Sequence, residues 1–393
     1  MRDNRGVNDR AGGLLVPVAE GEPTILPAAL LQRVVGAIRA SGGWLPFDRF
    51  MALALYEPGL GYYANTSPKF GHLPTGAQGQ GSDFVTAPEL TPLFGHTLAR
   101  QVAQALQATG TDEVWEFGAG SGALARQVIE GLEALGVALR RYTIVDLSGD
   151  LRERQRATLQ AHEARVAWAD HLPDALSGVL LGNEVLDAMP VQLLVRLGGQ
   201  WHERGVAVTA DGVLAWADRP TDLRPPVAIE GHHDYLTEIH PQAEAFVRTL
   251  ADRWQRGAAF FIDYGFPEAE YYHPHRHMGT LTCHRAHRRD DDPLSDLGLK
   301  DITAHVNFTG IALAAQEAGL AVLGYTSQGR FLLNAGLVEL AREAGARENA
   351  MMQKLVNEHE MGELFKVLCF APGASASGWT PLGMAHGDRT HRL

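Results

Sequence analysis

Apolar residues follow two spacings along most of this chain. At Leu30, Leu31, Val34, Val35 and Ile38 they recur every three or four positions, which predicts an amphipathic helix, and a second short helix is expected over 47–55. Glycine and proline punctuate 58–81 and break the pattern. A further helix over 93–106 leads into Val114-Trp115-Glu116-Phe117, an apolar run stopped by glycine and too short for a helix, so it reads as a strand. Beyond it the text alternates: strand 142–145, helix 151–161, strand 165–168, the buried run 178–182, another at 258–262, and closing strands near 321–325 and 366–370. Strands alternating with helices predict an α/β fold around a parallel sheet. From 191 to 216 the period drops to two, with turns at Gly198-Gly199 and Asp211-Gly212, which predicts an antiparallel insertion. Residues 1–24 and 371–393 are polar and glycine-containing and read as poorly ordered extensions. The expected layout is a flexible N-terminus to 26, a helical cap with a lid loop over 27–110, the α/β domain over 111–370 with an insertion at about 189–257, and a flexible tail over 371–393. There is no internal repeat.

With 393 residues, 45% hydrophobic and 20% charged, the chain can bury a large core as one elaborated domain or two smaller ones. Its formal charge of -12 argues against broad affinity for nucleic acid. The basic run Arg285, His287, Arg288 and Arg289 is balanced by Asp290 to Asp292 and reads as a solvated loop. Two cysteines, Cys283 and Cys369, give neither a disulfide framework nor a cysteine zinc site, which fits a reducing compartment. No apolar run approaches the roughly 20 residues of a membrane span. Arg2, Arg5 and Arg10 are interspersed with Asp3 and Asp9 without a secretory apolar stretch, so a bacterial cytoplasmic location is expected, with the mitochondrial matrix as the alternative.

The candidate chemistry starts at the end of the first strand, where Glu116 precedes Gly118, Gly120 and Gly122. Glycines permit positive φ and close backbone approach, and the helix former's sequence Ala123 to Ile129 that follows would aim its first free N–H groups at a ligand. A dinucleotide fingerprint spaces its glycines Gly-x-Gly-x-x-Gly. Here the order is Gly-x-Gly-x-Gly, which resembles motif I of class I S-adenosyl-L-methionine (SAM) methyltransferases, with a dinucleotide site or a plain tight turn as the alternatives. Asp146, at the end of the second strand, suits the two ribose hydroxyls of either cofactor.

Ligands of open α/β sheets gather beyond the carboxyl ends of the strands. Four polar clusters fall there: Glu116 with the glycines, Asp146-Leu147-Ser148, Asn183-Glu184 with Asp187, and Asp263-Tyr264. Each could cap a helix or turn; all four together suggest one site. If 184–187 is helical, Glu184 and Asp187 share a face and can present two carboxylates to one cation, such as a guanidinium. Otherwise Asp187 is a cap and Glu184 a surface residue. Gly81 to Leu90 looks like a lid or cofactor-edge loop in which Ser82 and Thr86 either touch the cofactor or cap the next helix, while Asp263-Tyr264 is expected to close the pocket. His273, His275 and His277 alternate, with His284, His287 and His305 nearby, yet Pro274 and Arg276 favour a solvated loop over a metal site, and no metal is expected.

In their order, Leu55-Tyr56-Glu57-Pro58-Gly59-Leu60-Gly61-Tyr62-Tyr63, 81–89, the glycine loop, 183–190, Ile262-Asp263-Tyr264-Gly265, Gly279-Thr280-Leu281 and 301–308 resemble the MidA-like family of class I methyltransferases over about residues 30 to 370. These are bacterial and mitochondrial relatives of the arginine methyltransferase needed for respiratory complex I assembly. The resemblance implies a Rossmann-like seven-stranded SAM-methyltransferase sheet of order 3-2-1-4-5-7-6 under an N-terminal helical cap and an antiparallel insertion. It implies SAM as cofactor and, in the mitochondrial relatives, symmetric dimethylation of an arginine in a complex I subunit. For this chain the acceptor is expected to be an arginine of a complex I type subunit or of another protein. Glu116, Gly118, Ala119, Gly120, Gly122, Asp146, Leu147, Ser82 and Thr86 are the expected cofactor residues, and Asn183, Glu184 and Asp187 the catalytic ones. Asn307 stands where the family more often has an acid, which argues against a catalytic role there. A SAM-binding assembly chaperone and an NAD(P) oxidoreductase are the rival readings, and the oligomeric state is open, a homodimer among the options.

Overall fold

The computed structural model describes residues 25–65, 86–146, 149–285 and 288–393. Its centre is β1 (Glu113–Phe117), every residue of which is buried, with strands along both edges and a packed layer on each face. β2 (Arg141–Val145) and β4 (Val179–Asn183) pair with it in parallel, placing Glu116 opposite Ile144 on one side and Leu181 on the other. β3 (Val166–Ala169) extends the sheet beyond β2, and β5 (Ala259–Phe266), β7 (Phe365–Pro372) and β6 (Leu320–Ser327) extend it beyond β4. The order 3-2-1-4-5-7-6, with β7 alone antiparallel to its neighbours, is the one the family resemblance implies. A two-residue strand, Val306–Asn307, adds to the end of β5.

The unbroken apolar run of β5 follows from its two buried faces. Phe260 and Ile262 point into one layer with Phe94, Leu98 and Val102 of α3 (Leu93–Thr109) and Val128, Ile129 and Leu132 of α4 (Ala123–Ala134). Phe261 points into the other with Val247 and Leu250 of α6 (Pro241–Arg253) and Ile311 of α7 (Phe308–Glu317). Between these in sequence, α5 (Gly149–Thr158) follows β2.

A third core joins parts of the chain far apart in sequence. Leu30, Val34 and Ile38 of α1 (Ile25–Ala40) and Phe47, Phe50 and Met51 of α2 (Phe47–Tyr56) pack with Leu193 and Val206 of the antiparallel strands Gln192–Leu197 and Gln200–Val208. Leu45–Pro46, between the two helices, pairs directly with the second of these strands. Cap and insertion are thus one body. The cap is smaller than the sequence suggested, since α3 packs on the main sheet, and the insertion is shorter, since α6 does too.

The tail is a correction. Of residues 371–393, expected to be poorly ordered, 371–372 finish β7 and the rest reaches the edge strand β6: Asp388 Oδ1 accepts from Tyr325 N at 2.9 Å, Arg389 N donates to Tyr325 O at 2.6 Å, and Met384 is buried. An exposed strand edge carries unmet N–H and C=O groups, so a polar segment has a reason to dock there. The expected N-terminal extension lies outside the described residues up to residue 24.

Candidate active site

Gly118, Gly120 and Gly122 all have positive φ, at 60°, 54° and 84°. Such angles cost an L-residue about 1–2 kcal/mol, so the alternating glycines let the chain curl tightly at the end of β1 and open the N-terminus of α4. A Cβ on Gly118 would come within 3.2 Å of Val185 Cγ2, which is in the turn after β4. This makes a bare backbone cradle, of the kind a nucleoside-bearing ligand needs.

Two carboxylates flank it. Glu116 is buried and accepts from Tyr142 Oη at 2.6 Å; burial pushes its carboxyl up to about 8, with the Tyr142 bond opposing and the Asp146 charge adding. Asp146 accepts from Gln155 Nε2 at 2.8 Å, and the same amide nitrogen reaches Gly120 O at 3.1 Å. Gln155 is fully buried in α5, and its oxygen accepts from Trp168 Nε1 at 2.9 Å, which fixes the orientation of the amide. Nothing in the local sequence marks Gln155, because its importance comes from packing α5 against both loops.

The turn after β4 differs from expectation. Residues 184–187 are not helical; Glu184 has φ of 56°, rare for a residue with a side chain, and bends the chain away from the strand. The turn is built around Asp263 Oδ2, which accepts from the backbone N–H groups of Val185, Leu186 and Asp187 at 3.1, 2.9 and 3.2 Å. Asp263 therefore lies behind the turn, 1% exposed, and does not close the pocket as the sequence reading had it. Burial beside Asp187 and Glu184 pushes its carboxyl upward against these hydrogen bonds. Tyr264, by contrast, faces the cavity, and its hydroxyl donates to Asp187 Oδ2 at 2.5 Å. Asn183 Nδ2 donates to Glu184 Oε1 at 3.1 Å. Burial and then the Asp187 charge push Glu184 up to about 8, and burial raises Asp187 as well.

One cavity of about 1280 Å³ connects these groups. Its wall includes Glu116, Gly118, Ala119, Gly120 and Asp146, then Asn183, Glu184 and Asp187, so most of the predicted site residues meet in one space. Thr86 lines it too and makes no side-chain bond to cap the helix that follows. Gly122 lies behind the loop, against Gln155 and Leu159. Ser82 and Leu147 lie outside the described residues. Tyr56 and Tyr63 from the cap also face the cavity, stacked at 5.6 Å, with Tyr56 Oη bonded to Ala188 O at 2.9 Å. The apolar-looking motif 55–63 thus tethers the cap to the turn. Asn307 is the N-cap of α7, its side chain accepting from Gly310 N at 3.3 Å, which gives that position a structural role. No helix among the described residues is long and apolar enough to cross a membrane.

The sheet order and the glycine cradle at the end of β1 define a class I methyltransferase fold. A family model described as "Putative S-adenosyl-L-methionine-dependent methyltransferase" matches residues 97–326, and the chain belongs to that family, the MidA-like methyltransferases. The fold is similar to that of a Burkholderia thailandensis protein crystallised with S-adenosyl-homocysteine, at 49% identity and a TM-score of 0.87 over 93% of this chain and 97% of that one. The chain is also 26% identical over 382 residues to the mitochondrial protein arginine methyltransferase NDUFAF7 homologue of Caenorhabditis elegans, covering 87% of this chain and 86% of that one. To the human mitochondrial protein arginine methyltransferase NDUFAF7 it is 25% identical over 411 residues, covering 91% and 87%. Its cofactor is SAM, and the cradle, with no side chain where a Cβ would strike Val185, fits that group.

Proposed function

We propose that this protein transfers a methyl group from SAM to an arginine of a protein, a complex I type subunit or another acceptor. The observation that carries the reading is the pair of carboxylates, Glu184 and Asp187, lining the same cavity as the glycine cradle. Bound SAM supplies an electrophilic methyl carbon. What remains for the chain is to align a nucleophile and keep water away. Glu184 and Asp187 suit a guanidinium, whose planar fork pairs with carboxylates and whose charge they would draw toward one nitrogen. Tyr264 holds Asp187 in place. As the guanidinium nitrogen gains its methyl group it gives up a proton, and Glu184, which the bound cation would ionise and whose basicity burial raises, is suited to accept it. Gly118, Ala119, Gly120 and Gly122 form the cofactor cradle in this reading, Asp146 takes the ribose, and Glu116 and Thr86 border it.

The test is mass spectrometry of the methylated proteome with and without this protein, followed by transfer from SAM to the identified substrate by purified protein. A methylarginine that depends on the protein is the expected result. A dependent methyllysine overturns the acceptor and leaves the fold untouched.

A further inference from the structure

The stretch 301–305 belongs to a motif whose role the reading above leaves unused. It is extended, with a strand over Asp301–Thr303, so alternate side chains face opposite ways. Ile302 and Ala304 are buried in the core shared by cap and insertion. Asp301, Thr303 and His305 line the cavity. The stretch is docked on the catalytic turn, where Ala304 N donates to Asp187 O at 3.0 Å.

Its backbone is fixed from behind. His305 N donates to Thr280 Oγ1 at 3.1 Å, and His240 Nε2 donates to His305 O at 2.9 Å. Thr280 is held in turn by the fully buried Glu238, whose carboxylate accepts from Thr280 N at 2.8 Å and from Tyr271 Oη at 2.8 Å. A Cβ on Gly279 would lie 2.5 Å from Glu238 Oε1, so a glycine is required for this turn to close on the acid. Buried hydrogen bonds of this kind hold one backbone position.

On the cavity side, Tyr63 Oη donates to Asp301 Oδ2 at 2.8 Å and orients it. The Asp301 charge acts on Glu184, helping to raise it. Asp187, 5% exposed, has a buried Oδ1 with no hydrogen-bond partner among the described residues, and neither Glu184 nor Asp187 forms an ion pair among them. Carboxylates gathered in one chamber around an unmet acceptor call for a cationic ligand.

Building on the arginine reading, we propose that Asp301 is a specificity-determining residue of the acceptor site, contacting the cationic side chain from a second element, with Tyr63 as its positioning residue. Selection for a positively charged acceptor then depends on the cap as well as on the turn after β4.

The test titrates the S-adenosyl-homocysteine-loaded protein by calorimetry with a Gly-Arg-Gly peptide and its citrulline counterpart, a neutral near-isostere. Wild type is expected to prefer arginine. Asp301→Asn is expected to lose about tenfold or more of that affinity, the scale of a charge-assisted hydrogen bond, with S-adenosyl-homocysteine affinity unchanged as the check on folding. Tyr63→Phe, tested on the substrate found by mass spectrometry, is expected to raise the acceptor KM several-fold with kcat little changed. Asp301→Asn binding arginine as wild type does, while wild type still discriminates, overturns the assignment of Asp301 alone. Wild type binding both peptides equally overturns the arginine reading, and this proposal with it.

Discussion

Gln155 binds Asp146 and the glycine loop with a single amide nitrogen, at 2.8 Å to Asp146 Oδ2 and 3.1 Å to Gly120 O. A hydrogen bond to a charged group contributes about 1.5–3 kcal/mol, and here the bond also sets where the Asp146 carboxylate points. Gln155→Leu is therefore expected to weaken S-adenosyl-homocysteine binding by at least about tenfold in calorimetry. Trp168→Phe, which only frees the amide oxygen, is expected to cost less. Equal affinity in Gln155→Leu and wild type would count against Asp146 as the ribose ligand.

Gly118 is the most exacting position of the cradle. Alanine there pays about 1–2 kcal/mol for the positive φ, and valine adds branches toward Val185 Cγ2, already 3.2 Å from an ideal Cβ. Gly118→Val should abolish the thermal stabilisation that S-adenosyl-homocysteine gives the wild type, with Gly118→Ala intermediate. A full thermal shift in the valine variant is the outcome that contradicts the cradle.

Asp263 organises the turn after β4 without touching the cavity. Asp263→Ala leaves three N–H groups without an acceptor, those of Leu186 and Asp187 buried and that of Val185 partly so, and loss of a buried one costs about 1–3 kcal/mol. Chemical denaturation should show a clear drop in midpoint, and methyl transfer should fall further than cofactor binding, because Glu184 and Asp187 ride on this turn. Asp263→Asn keeps one acceptor oxygen and should fall between.

The raised Glu184 carboxyl has a signed consequence for stability. Its value of about 8 in the folded chain lies above the ordinary carboxylate value of about 4.3. Between the two the folded state holds a proton that the unfolded chain has released. Its contribution is thus complete below the lower value and lost as pH rises through the upper one. Glu116, also raised to about 8, acts with the same sign. Ligand-free Glu184→Gln should show a shallower fall in Tm across this window while still binding S-adenosyl-homocysteine, and it should lose methyl transfer by about a hundredfold or more. Identical pH slopes would argue against a buried, protonated Glu184. Retained biological activity in this variant would favour the chaperone reading.

Local properties were legible without the fold. Residues 116–122 carry their glycines at the positions where φ must be positive, and the apolar run at 258–262 has the composition of a strand buried on both faces; both are properties of adjacent residues. The order of the sheet was available through motifs that recur together in one family. The turn at 184–187 was misread as helical because an i, i+3 pair of acids fits a helix, and nothing nearby discloses that Asp263, 77 residues from Leu186, captures its N–H groups.

By itself, then, the sequence determined the α/β architecture and the cradle at the end of β1, which rest on hydrophobic period and short-range sterics, and the family whose cofactor is SAM, which rests on the resemblance of its motifs taken together. Tertiary structure alone decided that cap and insertion share one core, that Gln155 fixes Asp146, that Asp263 stands behind the turn instead of over the pocket, and that 301–305 presents Asp301 to the same chamber. Those arrangements depend on hydrogen bonds and packing between residues distant along the chain, whose partners are defined only once the chain is folded.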